Sequence, residues 1–151
     1  MTDNMPAKRF RHLQQVRYAD TDAQGHVFFG NYYTYMDEAL MAYLADLGFP
    51  WARLLEMGVE IYYVASDCQH KGRSFFGDRL QVTPAVTRLG TTSLTVGMTI
   101  ARETDDGEAV VAEGAITGVF VDVSTGKSTP IPESFRRAVA GLQGDRPPET
   151  P

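Results

Sequence analysis

The chain has 151 residues, of which 43% are hydrophobic and 22% charged, and this composition fits one soluble globular domain with a real core. Its formal net charge of -5 argues against a general nucleic-acid-binding surface, and no run reaches the ~20 apolar residues that span a bilayer. Residues 1–8 carry no apolar stretch of signal-peptide type, and the single cysteine, Cys68, excludes an internal disulfide, so a reducing, cytoplasmic setting is expected.

The first part of the chain predicts a strand, a loop and a long helix. His12–Tyr18 favours a strand, and Asp20–Phe29, which lacks a clear hydrophobic period, favours a loop. Over Asn31–Leu47 the apolar residues recur at steps of three and four, as on one face of an amphipathic helix. Gly48 and Pro50 are typical of a helix end. The predicted buried face consists of Tyr32, Met36, Ala39, Leu40, Tyr43 and Leu47.

The remainder predicts antiparallel strands and a final helix. A short helix is expected over Trp51–Met57, and apolar residues then alternate with a period of two from Val59 onward, as on strands. The Asp-Asp-Gly run at residues 105–107 predicts a hairpin turn, since Asp-Gly tolerates the positive φ of tight turns. A last strand is expected over Ala109–Val123, and a last helix over Glu133–Leu142.

This order predicts an α+β protein in which a curved antiparallel sheet wraps around one long central helix. We expect a single domain over residues 9–143, with residues 1–8 and 144–151 as flexible tails because they are polar or proline-rich. Open sheet edges are usually paired or covered, so a dimer joined edge to edge is also expected.

The segment from Tyr18 to Tyr32 carries the clearest chemical signal. It places two carboxylates and a glycine turn directly before the long helix, whose first backbone N–H groups are unpaired and partially positive. Such groups stabilise the oxyanion formed when a carbonyl is attacked, and Asp22 is placed to attack that carbonyl or to deprotonate a water. The alternative is that Asp20 and Asp22 only stabilise the turn. Asp20 can have this structural role even if Asp22 is catalytic.

With these residues the chain resembles the 4-hydroxybenzoyl-CoA thioesterase family of hotdog-fold proteins, which includes YbgC-like and Pseudomonas-type acyl-CoA thioesterases. The resemblance extends from about residue 10 to residue 142. It implies a hotdog fold, hydrolysis of an acyl- or aroyl-CoA thioester to free acid and coenzyme A, and a site at a dimer interface within a homodimer or homotetramer. It implies no metal and no cofactor, since coenzyme A is part of the substrate. The matching segments are Asp20–Val27, Asn31-Tyr32, Met36–Ala39 and Phe76–Leu80.

Residue by residue, the resemblance places the catalytic carboxylate on Asp22 and the carbonyl-polarising amide on the backbone of Phe29. Tyr18 matches a tyrosine near that carboxylate. YbgC-like members carry a histidine where this chain has Phe29, whereas here His26 directly follows Gly25. His26 therefore either orients Asp22 or a water, or simply packs.

The predicted substrate-binding residues lie in the same loop, at the helix start and among the basic residues. Pseudomonas-type enzymes bind coenzyme A phosphates with a basic run near a strand turn, but this chain has Gly-Thr-Thr at residues 90–92. Phosphate binding is therefore expected either from Arg73, Lys71 or Arg88, or from a different mode of docking. The substrate-binding set is Gly25, Phe28, Gly30, Tyr32, Arg73 and Arg88.

Other groups give weaker alternatives. Asp37 and Glu38 lie in the long helix, which supplies the carboxylate in another branch of hotdog thioesterases. Cys68 is a weak candidate for a nucleophile, since an unpaired buried cysteine is usually inert, and no His or Cys spacing predicts a metal site. His70 is expected on the surface of a strand. A hotdog-fold enoyl-CoA hydratase or dehydratase and a non-catalytic module that binds acyl-CoA or acyl-carrier protein remain alternative functions.

Overall fold

The computed structural model describes residues 9–143, and the two predicted tails, 1–8 and 144–151, lie outside this range. Five strands and three α-helices form one α+β unit, with a 3-10 turn at Tyr18–Asp20. The strands are β1 His12–Gln15, β2 Val59–His70, β3 Arg79–Leu89, β4 Ser93–Thr104 and β5 Gly107–Asp122, and the helices are α1 Asn31–Asp46, α2 Trp51–Glu56 and α3 Glu133–Gln143.

All strand pairs are antiparallel, and the sheet order is β1-β3-β4-β5-β2. The hairpin between β4 and β5 pairs Thr104 with Gly107, which confirms the predicted Asp-Asp-Gly turn. The first strand ends earlier than the predicted Tyr18. After β1 the Val16 N–H donates to the Asp78 carbonyl and the Val16 carbonyl accepts from Gly77, so the chain leaves β3 and turns at Tyr18–Asp20.

The predicted long helix is confirmed as α1, and the curved sheet wraps around it. Its predicted apolar face is buried, and Tyr35 and Leu44 are buried as well, so the helix contacts the core around much of its circumference. The helix packs tightly against the sheet at Gly114. A Cβ atom there would lie 2.5 Å from the Asp67 carbonyl oxygen and 2.8 Å from the Met36 sulfur.

The two edges of the sheet differ. At one edge β1 covers only the first part of β3, and the side-chain amide of Gln143 then takes over by pairing with both backbone groups of Val86 at 2.6 and 3.1 Å. At the other edge the long strand β2 pairs only with β5, and its centre exposes Tyr62, Tyr63 and Val64. Among residues 9–143, β2 is therefore the strand that presents a long, uncovered backbone edge. No helix in residues 9–143 combines the length and the apolar character needed to cross a membrane.

Candidate active site

The loop that carries Asp22 is a tight, internally hydrogen-bonded turn. Thr21 and Val27 form an isolated antiparallel bridge, and inside it the Asp22 N–H donates to the His26 carbonyl at 3.0 Å. The Gly25 N–H returns to the Asp22 carbonyl at 2.9 Å, and Gly25 itself has φ +83°. That left-handed conformation favours glycine, so the turn depends on Gly25.

The Asp22 carboxylate is half-buried and held at one oxygen only. Its Oδ1 accepts the Gln24 backbone N–H at 2.9 Å, which orients the side chain. Within the described part of the chain nothing else donates to this carboxylate. The remaining oxygen can therefore act on a substrate or a water.

Asp20 differs, because its side chain is only 3% exposed and fully engaged. Its carboxylate accepts the Tyr35 hydroxyl at 2.8 Å, the Arg17 backbone N–H at 3.0 Å and the Arg17 guanidinium at 2.8 Å. Burial by itself raises the pKa of the Asp20 carboxyl, but the hydrogen bonds from Arg17 and Tyr35 outweigh burial and hold the pKa below its ordinary value. Asp20 is thus a structural carboxylate.

The start of α1 leaves two backbone amides unused. The Phe28 N–H donates to the Asp20 carbonyl at 2.9 Å, and the Asn31 side-chain amide donates to the same oxygen at 2.8 Å. Across residues 9–143, the N–H groups of Phe29 and Gly30 find no acceptor, and no side chain caps the helix. These amides sit at the positive end of the helix dipole, so they can bind a carbonyl oxygen or an oxyanion. The amide predicted for this role, that of Phe29, is one of them.

Tyr18 and His26, both predicted near the catalytic carboxylate, have few contacts within residues 9–143. Tyr18 is 77% exposed, and its ring stands edge-on to Phe76 at a centroid distance of 6.0 Å. The half-buried His26 ring has Nδ1 3.2 Å from the Val27 carbonyl oxygen. Their predicted roles in catalysis stay predictions.

Aromatic rings surround the helix start. Phe28 and Phe29 are exposed, with ring centroids 4.8 Å apart, whereas Tyr32 is buried and its hydroxyl donates to the Ser74 hydroxyl at 3.2 Å. Burial raises the pKa of the Tyr32 hydroxyl. The His70 ring lies against both Phe29 and Tyr32, at 6.1 and 5.4 Å. The sequence predicted His70 on the surface of a strand. It did not indicate that His70, at the end of β2, contacts aromatic residues at the start of α1.

A cavity of about 420 Å³ opens between the first turns of α1 and strand β2. The Tyr63 hydroxyl donates to Asp37 Oδ1 at 2.7 Å on its wall, and burial followed by this hydrogen bond raises the pKa of Tyr63. The predicted helix carboxylate Asp37 is therefore a hydrogen-bonded cavity residue. The cavity is lined by Tyr33, Thr34, Asp37, Tyr63, Ser66 and Ile116.

The basic residues considered for phosphate binding lie at two separate places. Lys71 and Arg73 are exposed and come directly before Ser74, whose carbonyl accepts the Val27 N–H at 2.8 Å beside the Asp22 loop. Arg88 lies near the far end of β3, where its guanidinium donates to the Ser93 hydroxyl at 2.9 Å. At a rise of ~3.3 Å per residue, roughly 30 Å of strand separates Arg88 from the start of β3. Within one copy of the chain, Arg73 and Arg88 therefore do not lie close together.

Two alternatives receive no structural support. Cys68 is half-buried, and burial followed by the nearby Asp67 charge raises the pKa of its thiol, so the nucleophilic thiolate is disfavoured. In the described ranges no group of three His, Cys, Asp or Glu side chains is arranged to hold a metal ion.

Comparison with known proteins identifies the family. The sequence model of the thioesterase-like superfamily matches residues 16–139. The chain belongs to the thioesterase-like superfamily. The structure of BH1999 gentisyl-coenzyme A thioesterase is 30% identical to this superfamily member, with a TM-score of 0.77 over 87% of this chain and all of that one. The predicted family and hotdog fold are therefore confirmed.

Other relatives of this thioesterase-superfamily chain agree with the fold. A "putative esterase" of Aquifex aeolicus is 34% identical over 73 residues, which are 48% of this chain and only 57% of the relative. A Staphylococcus aureus protein, SAV2348, solved in complex with CoA, is 18% identical with a TM-score of 0.86, covering 99% of this chain and 92% of that one. A 1,4-dihydroxy-2-naphthoyl-CoA thioesterase from Synechocystis is 22% identical with a TM-score of 0.78, covering 88% and 96%. The last two likenesses concern the fold alone.

Proposed function

We propose that this protein hydrolyses the thioester of an acyl- or aroyl-CoA to the free acid and coenzyme A. The observation that carries the proposal is the combination of a half-free Asp22 carboxylate with two unused amides at the start of α1. Family membership and the thioesterase relative that is 30% identical support the reaction class.

In the proposed reaction the thioester oxygen accepts hydrogen bonds from the Phe29 and Gly30 amides, which stabilise the negative charge that develops there. Asp22 acts in one of two ways. As a nucleophile, its oxygen bonds to the carbonyl carbon, the C–S bond breaks, coenzyme A leaves as thiolate, and water hydrolyses the anhydride. As a general base, it takes a proton from the water that attacks the carbonyl carbon.

The acyl group is proposed to extend into the cavity between α1 and β2. That cavity begins one helical turn after the unused amides and is lined partly by Tyr33 and Tyr63 rings, which suit an apolar or aromatic group. We place the reaction in the cytoplasm, in keeping with a single free cysteine. A thiol-release assay over short, medium and aromatic acyl-CoAs tests the function, and acyl-CoA binding without thiol release from any of them would contradict it.

We further propose that Lys71 and Arg73 bind the nucleotide phosphates of coenzyme A. Both are exposed beside the Asp22 loop, and neither side chain meets a carboxylate or another hydrogen-bond partner within residues 9–143. In a chain of net charge -5, two unpaired cations at one place are a suitable site for phosphate.

Reversing both charges, with Lys71→Glu and Arg73→Glu together, is expected to raise KM for the best acyl-CoA by about 10-fold or more while kcat changes by less than about 2-fold, since ground-state binding alone is lost. The same acyl group on N-acetylcysteamine, which lacks the nucleotide, should show no change. The matched control reverses the charges of Lys127 and Arg137, which are exposed and whose side chains have no ion pair within residues 9–143. Equal KM values for both double variants would contradict the assignment.

We propose that the partner of β2 is a second copy of this chain, giving a homodimer in which the two β2 edges pair. Along the twelve residues of β2, every second residue directs its backbone N–H and C=O away from β5, and the exposed apolar side chains at the centre of the strand would become buried. The other edge is already covered by β1 and the Gln143 amide. The dimer would bring each cavity next to the partner's chain.

Val64→Glu is expected to weaken this dimer by about 100-fold or more, because burying an unpaired carboxylate costs several kcal/mol. Val64 is 61% exposed and sits at the bulge of β2 between Tyr63 and Ala65. Leu13→Glu is the control, since Leu13 is 58% exposed on the opposite edge strand. Light scattering after size exclusion should show a monomer for the first variant and a dimer for the second. A dimer in both would place the interface elsewhere.

A further inference from the structure

Asp20 connects three segments of the chain at the candidate site. Through its carboxylate it holds Arg17, at the exit of β1, and the hydroxyl of Tyr35, on the second turn of α1. Through its backbone carbonyl it holds the Phe28 N–H and the side chain of Asn31. We call Arg17, Asp20, Asn31 and Tyr35 the Asp20 clamp.

The clamp decides which amides at the helix start are used. Because the Asp20 carbonyl takes the Phe28 N–H, the first amides left over are those of Phe29 and Gly30. Asp20 also lies two positions before Asp22. The positions of the Asp22 carboxylate and of the Phe29 and Gly30 amides therefore both depend on the buried Asp20. A shift of Asp20 would move both sides of the site relative to each other.

We propose that the Asp20 clamp positions the Asp22 carboxylate against the Phe29 and Gly30 amides, with Tyr35 as its principal positioning residue. The inference rests on the proposed thioesterase function and extends it to residues that do not touch the substrate. A displacement of about 1 Å from such a contact can cost up to ~100-fold in rate.

The clamp contributes to stability, but stability alone does not explain its geometry. The hydrogen bonds from Arg17 and Tyr35 outweigh the cost of burying the Asp20 carboxylate, whereas the ion pair with the largely exposed Arg17 side chain by itself adds little to the free energy of unfolding. A charged acceptor does supply direction, because charge-assisted hydrogen bonds are short and strongly oriented. The arrangement therefore fixes the geometry of the site in addition to its contribution to stability.

Two buried tyrosines on α1 provide a matched test. Tyr35 and Tyr43 are each 1% exposed, and each hydroxyl donates one hydrogen bond, to Asp20 at 2.8 Å and to Gln143 at 2.6 Å. Tyr35→Phe is expected to lower kcat about 10-fold or more, with KM for the acyl-CoA changed by less than about 2-fold, because only the alignment of reacting groups is lost. Tyr43→Phe should leave kcat within about 2-fold despite a comparable loss of thermal stability.

A second variant and a measurement without turnover complete the test. Asn31→Ala removes the side-chain donor to the Asp20 carbonyl and should also lower kcat, so the test does not depend on the folding of one variant. Amide exchange followed by NMR should show faster exchange of the Phe28 N–H in Tyr35→Phe than in Tyr43→Phe. Equal kcat values for the two phenylalanine variants would overturn the clamp alone. A wild-type protein that releases no thiol from any substrate would overturn the proposed function, whatever the exchange data show.

Discussion

Asp22→Asn is expected to lower kcat by about 100-fold or more while the fold is retained, on the scale of losing a catalytic base or nucleophile. The amide keeps an oxygen that can accept the Gln24 N–H, so the turn survives, but it neither attacks a carbonyl nor takes a proton. The measurement is steady-state thiol release with the best acyl-CoA, accompanied by circular dichroism to verify the fold. A single turnover in ¹⁸O-labelled water tests the nucleophilic role, since label enters the Asp22 side chain only when the anhydride forms and water attacks it at the Asp22 carbonyl carbon.

Asp106→Asn serves as the matched control, because Asp106 is an exposed aspartate of the β4–β5 hairpin turn for which no catalytic role is predicted. Its kcat should equal that of the wild-type chain. Asp37→Asn tests the alternative that the catalytic carboxylate comes from the long helix, since Asp37 lines the cavity and accepts a hydrogen bond from the Tyr63 hydroxyl. If Asp37→Asn abolished thiol release while Asp22→Asn remained fully active, the assignment of Asp22 would be wrong.

Gly114→Ala is expected to lower the free energy of unfolding by about 3 kcal/mol, the upper range for overpacking a well-filled core. The added methyl group would lie 2.5 Å from the Asp67 carbonyl oxygen, which is backbone of the paired strand β2 and cannot rotate away. The Met36 side chain of α1, at 2.8 Å, would also have to move. Urea unfolding followed by circular dichroism measures the change.

Gly141→Ala should change stability in the opposite direction. Gly141 lies within α3, and a methyl group there meets no atom within 4 Å. Replacing a helical glycine by alanine commonly stabilises a helix by up to ~1 kcal/mol. A Gly114→Ala protein as stable as Gly141→Ala would mean that α1 does not press against β5 and β2 as described.

Local patterns were sufficient for most of the fold. The steps of three and four along α1, the Asp-Asp-Gly turn and the alternation along the strands are properties of neighbouring residues, so they could be predicted without coordinates. The first strand was predicted too long. Val16 turns away from β3 because of hydrogen bonds to Asp78 and Gly77, which lie some sixty residues further along the chain.

The same division applies to the site. The Asp22 loop, its glycine and the following helix start form one continuous segment, and the sequence was enough to single them out. Tyr35 and Ser74 were missed as partners of Asp20 and Tyr32 because they lie 15 and 42 residues from them in sequence. Nothing in the local pattern distinguishes such a buried tyrosine from an ordinary core residue.

The amino-acid sequence alone thus determined the family, the order of helix and strands and the loop that carries the candidate carboxylate, because each depends on residues close together in the chain. Only the tertiary structure decided that Asp20 is a buried anchor, that the Phe29 and Gly30 amides are left unused, and that β2 is the open edge. These features depend on which distant groups satisfy one another's hydrogen bonds, and that pairing exists only once the sheet has closed around α1.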